Sequence, residues 1–362
     1  MLYGYLNSPF VSNQFSDAAI PPSSVASPVI SGTGVIGQTL STTNGTWSGT
    51  LPITYTYQWN RNGSVILGAT FNTYTLVTAD GSTSITCTVT ATNAGGSLSK
   101  SSNAISVAAA TDADADAFIA AAAITNPTQK SAIDKLVVDL KSYGIWSKMK
   151  AIYPMVGGSS SAHKFNLRNP IDSDSAFRLV FNGGWVHSST GSTPNGTNAY
   201  AETFFNPSLN FSLFNYHFSY YSRTNSLEGN KTVMGSGDGY TPMMALKIYN
   251  PTAFEAPNFG GSAPSYIETT GLGHFIGNRT SQNLSKVFRN GIVKATSVTS
   301  ATSTINVTKT ILIGAFRQGN AIESFTNKES ATASIGDSLT DTQAANYYTA
   351  VQAFQTTLGR NV

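Results

Sequence analysis

The sequence predicts a mainly β protein: a β-sandwich, a short helical segment, and a larger β-sandwich that ends in a helix. Three observations carry this. Between residues 28 and 108, short alternating runs are separated by turn residues about every 8–12 positions, the spacing of a sandwich. Residues 109–150 form the strong helical stretch, with apolar positions at helical spacing. From 151 to 362 strand signals return at wider spacing, and a last apolar stripe at helical period closes the chain. At 362 residues the length suits two or three domains.

Charged residues make up only 11% of the chain, against about 25% in an ordinary soluble protein, and Ser, Thr, Asn and Gly take their place. The net charge of +3 is spread without runs, so neither nucleic acid nor an anionic membrane has an electrostatic footprint to meet. The lone cysteine, Cys87, excludes an internal disulfide. No apolar run approaches the roughly 18 residues of a membrane span. The first basic residue is Arg61, so the start lacks the basic region of a secretory signal. These features predict a protein made in a cytoplasm yet built like an extracellular β-protein. A virion component released by lysis satisfies both conditions, and so does a mature secreted protein given a new Met.

Residues 1–27 combine an aromatic lead (Leu2, Tyr3, Tyr5, Leu6, Phe10, Val11, Phe15) with a Pro21-Pro22-Ser-Ser spacer. So apolar a segment packs on something, either another subunit, which makes it an anchoring segment, or its own neighbouring domain. In the first sandwich Tyr55, Tyr57 and Trp59 alternate on one face, as do Ile85, Cys87 and Val89, and Asn62-Gly63 supplies the positive φ angles of a tight hairpin turn. Gly37-Gln-Thr-Leu40, Asn44-Gly-Thr-Trp47, Tyr57-Gln-Trp59, Thr73-Tyr74-Thr-Leu76 and Val89-Thr-Ala-Thr-Asn93-Ala-Gly-Gly96 together resemble the bacterial and phage immunoglobulin-like repeat. The resemblance makes Trp59 the tryptophan of the third strand. It also sets Cys87 where a second cysteine often sits, with Leu40 near its usual partner's place. Cys87 is then a buried small hydrophobe.

In the helical stretch Asp112 caps a short first helix, and Asn126-Pro127 starts a second with an Asn cap and Pro at the first position. Ile133, Leu136, Val137 and Leu140 form its apolar face, and Gly144 closes it. Asp112, Asp114 and Asp116 alternate like part of a calcium loop, but without its glycine turn and distal Glu they read as helix N-terminal charge.

In the last region Phe177–Phe181, Phe211–Ser222, Met243–Tyr249, Ser285–Phe288 and Lys309–Ala315 are strand-like, and Asn290-Gly291 marks a second hairpin. The order "strand, Asn-Gly, strand", Ile313-Gly314, then Asp337-Ser-Leu339-Thr and a tyrosine-bearing helix resembles the closing segment of the concanavalin-like, laminin-G-like jelly roll. With the helical preface it resembles phage tail and virion proteins, whether decoration, head-fibre or tail-fibre components. That resemblance implies a virion surface protein that adheres to host-cell glycans, forms homo-oligomers and binds other virion proteins through residues 1–27. A secreted polysaccharide-active enzyme and a bacterial surface adhesin are the rivals.

A glycosidase needs two carboxylates flanking the scissile bond, about 5–9 Å apart. No acidic pair sits on one strand, so no catalytic residue is assigned, and Glu202 and Glu268 are the two that space alone would have to bring together. No Gly-x-Ser-x-Gly elbow and no zinc spacing occurs around His163, His187, His217 and His274. No cofactor is expected. Calcium held by backbone carbonyls, which laminin-G relatives use, stays open at Gly235-Ser-Gly-Asp238-Gly239, against a plain glycine-rich surface loop. Gly32-x-Gly34-x-x-Gly37 matches a dinucleotide fingerprint only formally, since it precedes a strand.

A sugar needs an apolar ring for its face and amides or hydroxyls for its edges. Residues 182–280 supply both, with Trp185, His187, Tyr200, Tyr220, Tyr221, Arg223, Tyr240, Tyr249, Phe254, Tyr266 and His274 among many Asn, Ser and Gly. A jelly roll also fills its core with aromatics, and Phe204, Phe211, Phe218 and Tyr220 are read as core. Trp185, behind two glycines, is read as displayed on a loop. Trp185, His187, Tyr221 and Arg223 are the candidate carbohydrate-binding residues.

Overall fold

A computed structural model describes residues 18–212, 214–227, 229, 231–239, 243–249, 252–255, 263–298 and 307–362. The aromatic lead Leu2–Phe15 and the binding candidate Tyr240 lie outside the described residues, as does the side chain of Phe254. The chain divides into two compact units between Ala110 and Thr111. Both are β-sandwiches, and the fold class is the predicted one.

In the first unit Thr54–Arg61 and Ser84–Asn93 pair antiparallel at the centre of a five-stranded sheet. A three-stranded sheet of Ile30–Ser31, Thr39–Thr42 and Thr73–Thr75 shares its core. Trp59 stands directly opposite Cys87 in the register, and both are fully buried in the cluster that holds Leu40. Trp59 donates its indole N–H to the Phe71 carbonyl at 2.8 Å, which satisfies the one polar group of that ring. Burial pushes the Cys87 thiol up to about 11, so it stays a neutral core group. Asn62 and Gly63 take φ of 48° and 81°, as the hairpin requires.

The spacer reading of Pro21-Pro22-Ser-Ser needs correction. Ser23–Ala26 is a strand paired with Thr46–Ser48, Pro22 is buried, and the Ile20 amide donates to Thr50 Oγ1. Polar serines and prolines at a sandwich edge give no apolar alternation from which to read a strand.

The second unit packs an eight-stranded sheet on a nine-stranded one. Ser330–Gly336 and Tyr216–Ser222 run side by side through the middle of the eight-stranded sheet and are buried along their whole length. Their alternation explains this. Phe218, Tyr220, Phe275, Ala333 and Ile335 face Met234, Met244, Leu246 and Ile313 of the other sheet, in the sandwich core. Tyr221, Ile276, Phe288 and Ala331 face outward, where the helices cover them.

The helices are therefore part of this unit's second core. Ala113–Ala121 starts at Asp112, whose side chain accepts the Asp114 N–H, and Lys141 binds both aspartates at 2.6 Å. These aspartates are helix N-terminal charge, as predicted. Pro127–Ser142 starts at Asn126 and buries Ile133, Leu136, Val137 and Leu140, each contributing about 2 kcal/mol by leaving water. Asp341–Thr357 starts with a full capping box between Thr340 and Gln343 and buries Ala344, Tyr347, Val351 and Phe354.

Several strand limits shift. Phe177 sits at φ 59° after a short helical turn, and the strand begins only at Val180 and ends at Asn182, one residue past the expected run. Phe205 is fully buried where Phe204 was expected, because Phe204 takes φ 56° and swings to the half-buried side. The proposed calcium loop is also different. Met234–Gly237 is a buried strand, and both Asp238 carboxylate oxygens are taken by Thr308, through its amide at 2.8 Å and its hydroxyl at 2.9 Å.

Candidate functional site

The strand Val180–Asn182 belongs to the nine-stranded sheet and Trp185–Ser188 to the eight-stranded one, so Gly183-Gly184 carries the chain between them. Gly183 makes this crossing at φ 75°, where a Cβ would stand 2.3 Å from the Asn198 carbonyl. The glycine pair thus delivers Trp185 to the mouth of the sandwich. Its indole N–H donates to the Asn182 and Tyr200 carbonyls, its ring lies over Gly314, and it packs half-buried on the core. This corrects the loop-displayed reading.

His187 and Phe181 complete an aromatic group with Trp185. Phe181 stands edge-on to Trp185 at 5.2 Å and to His187 at 4.5 Å, while Trp185 and His187 stack at 6.2 Å. His187 Nδ1 lies 3.0 Å from His163 Nδ1, one hydrogen bond between two neutral rings. Burial pushes His163 down to about 3 and also lowers His187, so both are uncharged at neutral pH.

Tyr221 and Arg223 do not join this group. Tyr221 is fully buried under the helices, with its hydroxyl donating to Gln352 Oε1 at 2.8 Å and accepting the Val362 N–H at 2.9 Å. Arg223 spends its guanidinium on Glu329, at 3.0 and 3.1 Å, and on the Arg360 carbonyl at 2.8 Å. Tyr221 is closed off from solvent, and Arg223 commits its Nε and Nη1 to protein acceptors away from the aromatic group.

The aromatic group backs a cavity of about 360 Å³ lined by Ser160, Ser161, Lys164, Arg178, Leu179, Val180 and Phe181. Asp172 holds its rim together, accepting from Lys164 Nζ at 2.5 Å and Arg178 at 2.8 Å, while Arg178 reaches Asp174 at 2.8 Å. The Lys164 ammonium and then the Arg178 guanidinium keep the Asp172 carboxyl below its ordinary range. The lining combines apolar surface from Leu179 to Phe181 with two serine hydroxyls, an ammonium and a guanidinium. That combination suits a polyhydroxylated ring, whose C–H face packs on Phe181 while its hydroxyls meet the rim.

Sequence reading missed Phe181, Lys164, Asp172 and Arg178. Phe181 was visible only as one apolar position of a strand, and the charged residues are spread over two loops with no periodicity to link them.

Glu202 and Glu268 are each tied to their own arginine. Glu202 pairs with Arg317 and accepts the Phe204 N–H. Glu268, 4% exposed, binds Arg289, the Tyr266 hydroxyl and the Thr269 N–H. Among the described residues no group of three or more His, Cys, Asp or Glu is placed to hold a metal, and no helix is long and apolar enough to cross a membrane.

Trp185 and Phe181 differ in what truncation does. Trp185→Ala opens the sandwich mouth and is expected to cost about 3–5 kcal/mol, read as a large drop in melting temperature. Phe181→Ala removes a half-buried ring and is expected to cost about 1–2 kcal/mol. Equal and small losses would put the Trp185 ring back on the surface.

No protein-family model matches the chain, and a search of curated proteins finds no match. Among solved structures the chain is similar to domain 4 of AbnA, an extracellular arabinanase from Geobacillus stearothermophilus in complex with arabinotriose. The identity is 13% and the TM-score 0.42, over 55% of this chain and 98% of that one. It is also similar to a mutant Trypanosoma rangeli sialidase displaying trans-sialidase activity, at 9% identity and TM-score 0.43, over 75% of this chain and 43% of that one. A third is the sialidase CBM40 of Ruminococcus gnavus bound to α2,3-sialyllactose, at 11% identity and TM-score 0.29, over 36% of this chain and 80% of that one.

Proposed function

We propose that this chain is an adhesive surface protein of a bacteriophage particle, whose second unit holds cell-surface glycans without cleaving them. The observation that carries the binding part is the Phe181 cavity, whose lining joins an aromatic ring to two serine hydroxyls and to the Lys164 and Arg178 cations that Asp172 bridges. Binding without hydrolysis is supported by Glu202 and Glu268, whose carboxylates are each engaged by an arginine of their own.

The particle part rests on the order of modules, an immunoglobulin-like sandwich before a jelly roll with helices at both ends, and on a surface poor in charge. Many copies on one particle turn a weak single-site affinity into useful avidity. The aromatic lead is the attachment segment to other virion proteins in this reading. Because Ile20 and Pro22 already belong to the first sandwich, removal of residues 1–17 is the clean test. The shortened chain is expected to fold and to be missing from purified particles. Normal incorporation would overturn the attachment role.

A further inference from the structure

A second cavity of about 470 Å³ lies in the same unit, lined by residues that include Lys231, Thr232, Lys247, Phe316, Glu323 and Ser324. It is built on strands of the nine-stranded sheet, where Met243–Lys247 and Phe316–Gln318 flank Met234–Gly237. Thr232 is fully buried, yet its hydroxyl has no hydrogen-bond partner. A buried hydroxyl left unmatched is destabilising, so its retention at a cavity wall points to a partner that arrives with a ligand. Among the described residues Lys231 and Glu323 make no ion pair, although both face this one cavity. Ser324, next to Glu323, holds φ 54°, a left-handed conformation strained for a non-glycine residue, and its carbonyl accepts the Thr232 N–H at 3.0 Å.

We propose that this cavity binds a sugar unit carrying a carboxylate, as in a uronic acid. The ligand carboxylate accepts from the Lys231 ammonium and the Thr232 hydroxyl, and neighbouring ring hydroxyls donate to the Glu323 carboxylate. A neutral sugar uses the Glu323 side alone and leaves the ammonium unmatched. A dicarboxylate meets repulsion from Glu323. The cavity holds one such ring with room for its glycosidic linkage. The inference deepens the glycan reading but uses none of the residues of the Phe181 cavity.

The test is saturation-transfer NMR on the full chain with D-glucuronate and D-glucose as probes. Glucuronate is expected to bind saturably and at least about ten-fold more tightly than glucose, the margin of one charge-assisted contact. Lys231→Met should lower glucuronate affinity about ten-fold and bring it to the level of glucose. Thr232→Val, which removes only the hydroxyl, should weaken glucuronate binding about five-fold while raising the melting temperature, because no unmatched group stays buried. A merely structural Thr232 would shift stability and leave binding alone. Equal binding of the two sugars, no saturable binding of glucuronate, or unchanged binding in Lys231→Met would each overturn the proposal. If the chain holds neutral glycans but not glucuronate, this inference fails and the Phe181 reading stands. The reverse result upholds this inference and removes that reading.

Discussion

Lowering the pH from 7 to 5 is expected to melt the second unit well before the first. All four histidines lie in the second unit. Burial pushes His163 and His274 down to about 3 and His217 to about 4, from an ordinary value of 6.5. His274 is the most exposed to this penalty, because neither ring nitrogen has a hydrogen-bond partner and the ring is closed in by Tyr347, Tyr348 and Tyr221. His217 at least donates from Nδ1 to the Asp337 carbonyl at 2.6 Å.

Each folded-state value lies below the unfolded one, so the unfolded chain takes up protons first. Stability is therefore full above about pH 6.5 and falls as the pH drops from there toward 4. Three such groups together remove about 6 kcal/mol by pH 5, at roughly 1.4 kcal/mol per group and pH unit, against the 5–15 kcal/mol of a typical domain. Calorimetry of the whole chain should show two transitions, with one moving down steeply between pH 7 and 5. His274→Phe, which keeps the ring and removes the proton site, should recover about 2 kcal/mol of that loss at pH 5. Two transitions that move together, or a His274→Phe variant with an unchanged pH profile, would contradict the account.

Arg360→Leu is expected to destabilise the second unit by about 3–5 kcal/mol, a drop of roughly 10 °C in its melting temperature. Arg360 is 1% exposed, and burial lowers its pKa to about 9. Its guanidinium donates to the carbonyls of Pro154 at 2.6 Å, Met155 at 2.7 Å and Ala331 at 3.0 Å, and its Nε donates to Gln355 Oε1 at 2.5 Å. It thereby ties the segment after the last helix to the middle strand of the eight-stranded sheet. The leucine leaves those acceptors buried and unmatched, and each one counts. A melting temperature within a degree or two of the parent would show that the carbonyls find other donors.

The parts of this fold that were legible are those set by local chemistry. Asn62-Gly63 and Asn290-Gly291 turn where only such residues turn easily, and Asn126-Pro127 starts a helix where its side chain and fixed φ belong. That Trp59 and Cys87 both point into the sandwich core follows from alternation, although their pairing across the strands does not. What was not legible depends on a second layer. Alternation separates Tyr220 from Tyr221, but nothing in the strand says that helices cover the Tyr221 side. Gly183-Gly184 announces a sharp change of direction without saying that the chain lands in the opposite sheet. Gly235 looked like loop, yet it is a strand residue held where a Cβ would lie 2.6 Å from the Met244 carbonyl. Of the candidate site, Trp185 and His187 do meet, but as the backing of a surface whose outer ring is Phe181. Arg360 and the Asp172 network carry no periodic signal at all.

The central claim is that the Phe181 cavity holds glycans, and binding of the full chain to a panel of immobilised bacterial surface polysaccharides tests it most directly. The parent is expected to retain at least one polysaccharide, and Phe181→Ala to lose about ten-fold or more in affinity for it while the second unit still melts cooperatively, only a few degrees below the parent's. Retention of the same polysaccharide by Phe181→Ala at undiminished affinity would contradict the account.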